Sequence, residues 1–160
     1  MKKSALFRTV AAVGLSLALT TGCAQFDNTT EMVYNASDGI RAELDQSIVA
    51  NNLLVVTEGQ GEPGWLIGSL ANNGKHDVEV QFFFETEESV TITVPAGEHV
   101  LLGAQRDQPV EIAEVTVAPG SLLPSFLTNV TDVAVAELHL PVLDGTLAEY
   151  RAELDASQNS

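Results

Sequence analysis

The residue best placed for chemistry is Cys23, the only cysteine of the chain, which closes the stretch Leu19-Thr20-Thr21-Gly22-Cys23. Lys2, Lys3 and Arg8 stand before it, followed by the ten residues Val10 to Leu19, apolar except for Ser16. A basic segment followed by a short apolar run is the pattern of a secretory signal and is too short to cross a bilayer as a helix. Small residues immediately ahead of a cysteine form the bacterial lipobox. Cleavage is expected between Gly22 and Cys23, with the Cys23 thiol alkylated by diacylglycerol, so that this cysteine becomes the first residue of the mature chain. That chemistry consumes the sole thiol and leaves none for a disulfide or for nucleophilic catalysis.

The other residues with chemical potential are dispersed. His76, His99 and His139 are separated by 23 and 40 residues, whereas zinc ligands usually cluster at short spacings. A metal site shared by the three would have to be assembled by the fold. Gly59-Gln60-Gly61-Glu62-Pro63-Gly64 fits G-x-G-x-x-G, but a dinucleotide site needs a helix N-terminus next, to offer free amides to the pyrophosphate. Here a strand pattern starts at Trp65 and Glu62 would repel phosphate, so the segment reads as a hairpin loop. Glu85, Glu87 and Glu88 read as a solvated acidic turn. Neither G-x-S-x-G nor S-x-x-K occurs. No catalytic constellation and no cofactor motif emerges, and the chain is expected not to be an enzyme.

Charge narrows the partners. The chain carries 22 acidic against 7 basic side chains, a formal charge of −15. Removing residues 1–22 takes three of those basic residues and no acid, leaving 138 of the 160 residues at −18. Arg41, Lys75, Arg106 and Arg151 remain, scattered along the chain. A nucleic-acid backbone requires a basic stripe, so nucleic-acid binding is excluded. Anionic headgroups would repel the folded domain, and only the acyl chains on Cys23 would hold it at the membrane.

The elements that must position these residues are mostly strands. Residues 23–38, the lipidated cysteine and a polar stretch with no periodicity, read as a tether. A β-pattern runs over 39–143. Ile48 to Val56 ends in a continuous apolar run, and Trp65 to Ala71 follows it, closed by Asn72-Asn73-Gly74, a hairpin signal. Val78, Val80, Phe82 and Phe84 alternate with Glu79, Gln81 and Phe83, which places Phe83 on the outer face. Val90, Ile92 and Val94 alternate with Thr91 and Thr93. His99 to Leu102 and Val110 to Val117 are further strands. Ser121 to Leu127 is broken by Pro124, which suggests an edge strand or a crossing loop. Val133 to Val142 closes the series, with Glu137 and His139 outside. Seven or eight short strands at this spacing point to an all-β fold, an immunoglobulin-like antiparallel β-sandwich. Residues 144–160 form a short helix and tail, with Thr146 and Glu149 as a capping box and Leu147, Tyr150 and Leu154 on one face. Phe83 is either a single exposed apolar residue or part of a partner contact. Leu122, Leu123 and Phe126 form either a partner contact or a loop capping the open end of the sandwich. A small-ligand site, if present, would lie at that open end around Trp65 or Phe126.

A resemblance adds to this reading. The lipobox, the Tyr34-to-Leu44 lead-in, the apolar strand before Asn72-Asn73-Gly74, and the Val94-Pro95-Ala96-Gly97 and Val117-Ala118-Pro119-Gly120 turns resemble actinobacterial envelope lipoproteins of the LpqE type. The closing Pro141-Val142-Leu143-Asp144-Gly145 is similar to them as well. The resemblance implies an extracytoplasmic, lipid-anchored sandwich on the cell membrane. It also implies a place as accessory subunit of the respiratory complex III–complex IV supercomplex. That family is distantly similar to periplasmic copper chaperones, and Glu137-Leu138-His139 resembles their Glu-Leu-His. Thioether sulfur selects Cu(I), yet Met32 is the only methionine after cleavage. Two functional expectations follow. One is a non-enzymatic accessory or interaction subunit with a membrane-protein partner. The alternative is an extracytoplasmic metal (copper) chaperone-like protein using histidines and carboxylates.

Overall fold

The computed structural model describes residues 38–86, 89–131 and 134–157. Cys23, the signal segment and the tether lie outside the described residues. The elements are β1 (Ile40–Glu43), β2 (Ile48–Thr57), β3 (Gly64–Asn72), β4 (Val78–Phe84), β5 (Ser89–Val94), β6 (His99–Leu102), β7 (Glu111–Ile112), β8 (Leu122–Asn129), β9 (Val135–Leu143) and the helix α1 (Ala148–Ser157).

The nine strands form one mixed sheet in the order β5-β4-β8-β9-β2-β3-β6, with β1 added to β2 and β7 to β3. It curls into a nearly barrel-like shape. Two antiparallel halves, β5-β4-β8-β9 and β2-β3-β6, are joined where Val55 and Val56 of β2 pair in parallel with Val142 and Leu143 of β9. The expectation of a purely antiparallel sheet is corrected at this junction. β1 folds back on β2 and occupies the positions up to Leu53, so only the last part of β2 offers β9 an edge.

The strand periodicities explain the core. β4 alternates as expected, with Val78, Val80, Phe82 and Phe84 buried and Glu79 and Phe83 exposed. Phe82 and Phe84 stack at 6.3 Å between ring centroids. They meet Ile92 and Val94 of β5, Leu127 of β8, Leu138 and Leu140 of β9, and Leu53, Leu66 and Leu70 of the other half in one apolar cluster. β2 is different: Leu53, Leu54, Val55 and Val56 are all buried, so both of its faces are covered. The cover on its outer face is α1, whose Leu154 packs with Leu54 and Val56, flanked by Trp65, Ile67, Leu143 and Tyr150. Burying Leu154 contributes about 1.5–3 kcal/mol to docking a helix too short to be stable alone.

Four sequence expectations are corrected. Asn72-Asn73-Gly74 is not a hairpin, because β3 and β4 lie in different halves of the sheet. Instead the buried Asn72 side chain accepts from Gly74 N–H (2.9 Å) and donates to the carbonyls of His76 (2.8 Å) and Val94 (2.9 Å). It thereby pins the crossing segment to β5. The strand expected over Val110 to Val117 shrinks to Glu111–Ile112. Val115 falls out of its period-2 pattern and exchanges backbone bonds with the β2–β3 loop, to Gly61 (2.8 Å) and Glu62 (2.9 Å). β8 is an interior strand between β4 and β9 from Ser125 onward, with Pro124 paired to β9 alone. Pro124 is tolerated because β4 stops one residue earlier, at Phe84 opposite Ser125, so there β8 has a strand neighbour on one side only. Finally, Leu147 is exposed. The hydrogen bond just ahead of α1 comes from Thr146 N–H to Asp144 Oδ1, at 2.9 Å.

Candidate functional site

Of the lipidation site, Gly22 and Cys23, nothing is described, since both lie outside the described residues. The partner-contact residues are placed by β4, β8 and β9. Phe83 of β4 stands directly opposite Phe126 of β8, and Phe126 stands opposite Glu137 of β9. Leu122 faces Pro141, and Pro124 faces His139, one step along the same ladder. Phe83 is 37%, Phe126 46% and Leu122 55% exposed. Directly opposed side chains on neighbouring strands lie within contact range, Cβ atoms about 4.5–5.5 Å apart. The structure thus brings Phe83, which the sequence left apart, onto one outer face with Leu122 and Phe126.

Leu123 does not belong with them. It is 1% exposed and points into the core, because β8 alternates strictly and places Leu123, Ser125 and Leu127 inside while Leu122 and Phe126 face outward. A loop capping an open end is also ruled out, since these residues are in a paired strand. The rim of the apolar face is polar and mainly acidic: Glu79, Glu85 and Glu137 are exposed around it, and Thr116 Oγ1 donates to Glu85 Oε2 (2.6 Å). Such a face can make apolar contact at its centre while selecting basic groups at its edge.

The histidines stay apart. His76 lies in the β3–β4 connection, His99 starts β6 opposite Ala71, and His139 sits on β9 with Nε2 3.9 Å from Glu137 Oε1. Among the described residues no three His, Cys, Asp or Glu side chains come together as a metal site. The G-x-G-x-x-G segment is the loop joining β2 to β3, and a strand follows it. Trp65 packs beneath α1 and does not line an open end.

A second feature was not anticipated from the sequence. β2 carries a bulge between Asn51 and Leu54, where Asn52 adopts a positive φ of 52° and its Oδ1 accepts from Gly39 N–H at 2.9 Å. A Cβ on Gly39 would overlap the Asn52 carbonyl carbon, and one on Gly68, opposite the bulge, would lie 2.9 Å from the carbonyl oxygens of Asn51 and Asn52. The clue in the sequence is Gly68 in the middle of a strand pattern, where glycine often marks a bulge or a close backbone approach. Beside the bulge opens a cavity of about 290 Å³, lined by Asn51, Ile67, Ser69, Leu101 and Arg106 among others.

No protein-family model matches this chain, and no curated protein matches it either.

Proposed function

We propose that this protein is a lipid-anchored, extracytoplasmic accessory subunit without catalytic activity, whose β4-β8-β9 face docks on a membrane-protein partner. The observation that carries the reading is the in-register pair Phe83–Phe126, extended by Leu122 on a sheet face that no element of the described residues covers. Isolated exposed apolar residues need no explanation. Two aromatic side chains opposed across neighbouring strands form the kind of compact apolar centre on which binding energy concentrates. The lipobox at Cys23 supports the membrane location, and the two facing antiparallel halves support an immunoglobulin-like sandwich in which the β2–β9 pair is a local departure. The resemblance to LpqE-type lipoproteins makes the respiratory complex III–complex IV supercomplex the partner to test first. The acidic rim favours a basic patch on that partner, acting more on association rate than on affinity.

The test is a pull-down from native membranes in mild detergent, at low and high salt. The wild-type chain should bring a membrane-protein complex with it. Phe83→Ala with Phe126→Ala should reduce that recovery by roughly tenfold or more, while the variant stays in the membrane fraction. Recovery of the wild-type chain alone under every salt condition would remove the accessory-subunit reading. Cys23→Ala should move the protein out of the membrane fraction; persistence there would contradict the lipobox.

A further inference from the structure

On the outer face of the β2-β3-β6 half, beside α1, the bulge cavity brings polar, apolar and cationic side chains together. Its floor is the outward row Asn51–Ser69–Leu101, three residues directly opposed across β2, β3 and β6. Ile67 borders the floor, and Arg106 forms a wall. α1 covers the neighbouring part of this face, over Leu54 and Val56, and leaves this part open.

Arg106 is held in place from two directions. Its loop closes on itself through Arg106 N–H to Gly103 O (3.3 Å), Gly103 N–H to Gln108 O (3.3 Å) and Gln108 N–H to Leu101 O (3.0 Å). Asp107 Oδ2 accepts from Leu101 N–H at 3.0 Å. The side chain meets α1: Arg106 Nε lies 3.4 Å from Glu153 Oε1, and the other oxygen of that buried carboxylate accepts from Ala104 N–H at 2.8 Å. Gly103 makes this approach feasible, because a Cβ there would lie 2.7 Å from Arg106 Cγ and 3.0 Å from Glu153 Oε2. Arg106 lines the cavity, and with Nε paired to Glu153 its terminal nitrogens are left to engage a ligand. The Arg106 side chain is 54% exposed, with the Glu153 carboxylate as its anchor, so a ligand can reach the cation from solvent.

From this geometry we infer that the cavity binds a small monocarboxylate carrying an amide and a short apolar group, the chemistry of an N-acylated amino acid. The guanidinium matches a carboxylate through paired N–H donors. Asn51 and Ser69 offer an amide and a hydroxyl to the ligand's amide, and Leu101 and Ile67 offer apolar contact. Size and charge narrow the class. At about 290 Å³ the cavity is at the lower limit of small-molecule sites, roughly 300–1,000 Å³, so it takes one end of a ligand. Glu153 already pairs with the one guanidinium of the cavity, in a chain of charge −15, which disfavours a dianion more than a monoanion.

The experiment is an amide-resolved NMR titration of the full chain in detergent with N-acetyl-leucine, its uncharged amide N-acetyl-leucinamide, and inorganic phosphate. Saturable shifts at Asn51, Ser69 and Leu101 are expected with N-acetyl-leucine below about 10 mM, and at least tenfold weaker response to the other two. Arg106→Gln should weaken the response by roughly ten- to a hundredfold. Because that change also removes the partner of Glu153, Leu101→Glu provides a second variant. It places a negative charge on the exposed floor without touching the helix contact, and it should abolish the response with the thermal melt unchanged. An equal response to acid and amide, an equal response to phosphate, no saturation, or undiminished binding in Leu101→Glu would each overturn the assignment. None of these outcomes bears on the Phe83–Phe126 face, which the pull-down tests separately.

Discussion

Asp45 ties the two halves of the sheet together, and its replacement by asparagine tests how strongly. One carboxylate oxygen, Oδ1, accepts from Ser47 N–H (2.6 Å), Ser47 Oγ–H (2.7 Å) and Ile48 N–H (2.8 Å) in the β1–β2 turn. The other, Oδ2, accepts from Nδ2 of Asn129 at the end of β8 (2.9 Å). Partial burial pushes the Asp45 carboxyl up, but the hydrogen bonds from Ser47, Asn129 and Ile48 outweigh it and bring the carboxyl down from 3.8 to about 2. Asparagine can still accept in the turn, yet it sets an amide nitrogen against Asn129 Nδ2, donor against donor. At about 1.4 kcal/mol per pKa unit the shift corresponds to a little over 2 kcal/mol, which solvent screening of a partly exposed group reduces to about 1–2 kcal/mol. A carboxyl lowered on folding stabilises the protein above its unfolded pKa, and that contribution fades as pH falls from 3.8 through about 2. Urea unfolding of wild type and Asp45→Asn, followed by Trp65 fluorescence at about pH 6, 4 and 3, should show a gap of about 1–2 kcal/mol that narrows only at the lowest pH. Comparing two variants cancels the general relief of repulsion that this acidic chain gains on protonation. A gap absent at about pH 6, or undiminished at about pH 3, would refute the reasoning.

Two further perturbations address the bulge and the helix. Gly68→Ala combines a φ of +145° with a Cβ 2.9 Å from two carbonyl oxygens, and should cost roughly 2 kcal/mol or more in a thermal melt. Gly61→Ala, with a φ of +81° and nothing within 4 Å, should cost about 1 kcal/mol; equal losses would mean the bulge is not packed as described. Tyr150 has its hydroxyl pushed up to about 12, first by burial and then by its bond to Asp38, whose Oδ2 accepts at 2.6 Å. Following tyrosinate absorbance on alkaline titration should reveal a step near that value that Tyr150→Phe removes. The contribution to stability should hold below about pH 10 and be lost as pH rises through about 12.

The strands were legible where local pattern and long-range pairing agree. β4 and β5 alternate cleanly, and each occupies the span its sequence indicates. Pattern failed where a side chain serves a distant segment. Asn72-Asn73-Gly74 has the residue types of a tight turn, but the Asn72 amide reaches the backbone of Val94, 22 residues away, a bond that no local window contains. Pro124 is legible only in part: a proline in a strand argues for an edge, and although β8 is interior from Ser125 onward, the fold supplies an edge at Pro124 by ending β4 a residue short. At the candidate face, alternation alone places Phe83 outward, whereas its meeting with Phe126 depends on β4 pairing with β8 across three intervening strands and their loops. The Arg106 cavity was illegible because it depends on a bulge, a loop and a helix from three separate regions.

The two outer faces of the sheet can be told apart by the same periodicity. A strand covered on both sides has no reason to alternate, and Leu53-Leu54-Val55-Val56 does not; something had to lie over Leu54 and Val56, and α1 does. A strand covered on one side alternates, and β4 does so from Val78 to Phe84. Alternation in a wet strand normally brings polar residues to the surface, as Glu79 and Gln81 show. Phe83 obeys the alternation in position and violates it in chemistry, and Phe126, its partner in β8, does the same. One violation could be chance exposure. Two that oppose each other across a ladder, with Leu122 beyond them on the same strand, give a surface whose apolar character is set by register. Slipping either strand by one residue would bury its own ring and expose Phe82 or Leu127 in its place. The core packing that fixes the fold therefore also fixes the aromatic pair outward, which is why its removal should affect partner recovery far more than stability.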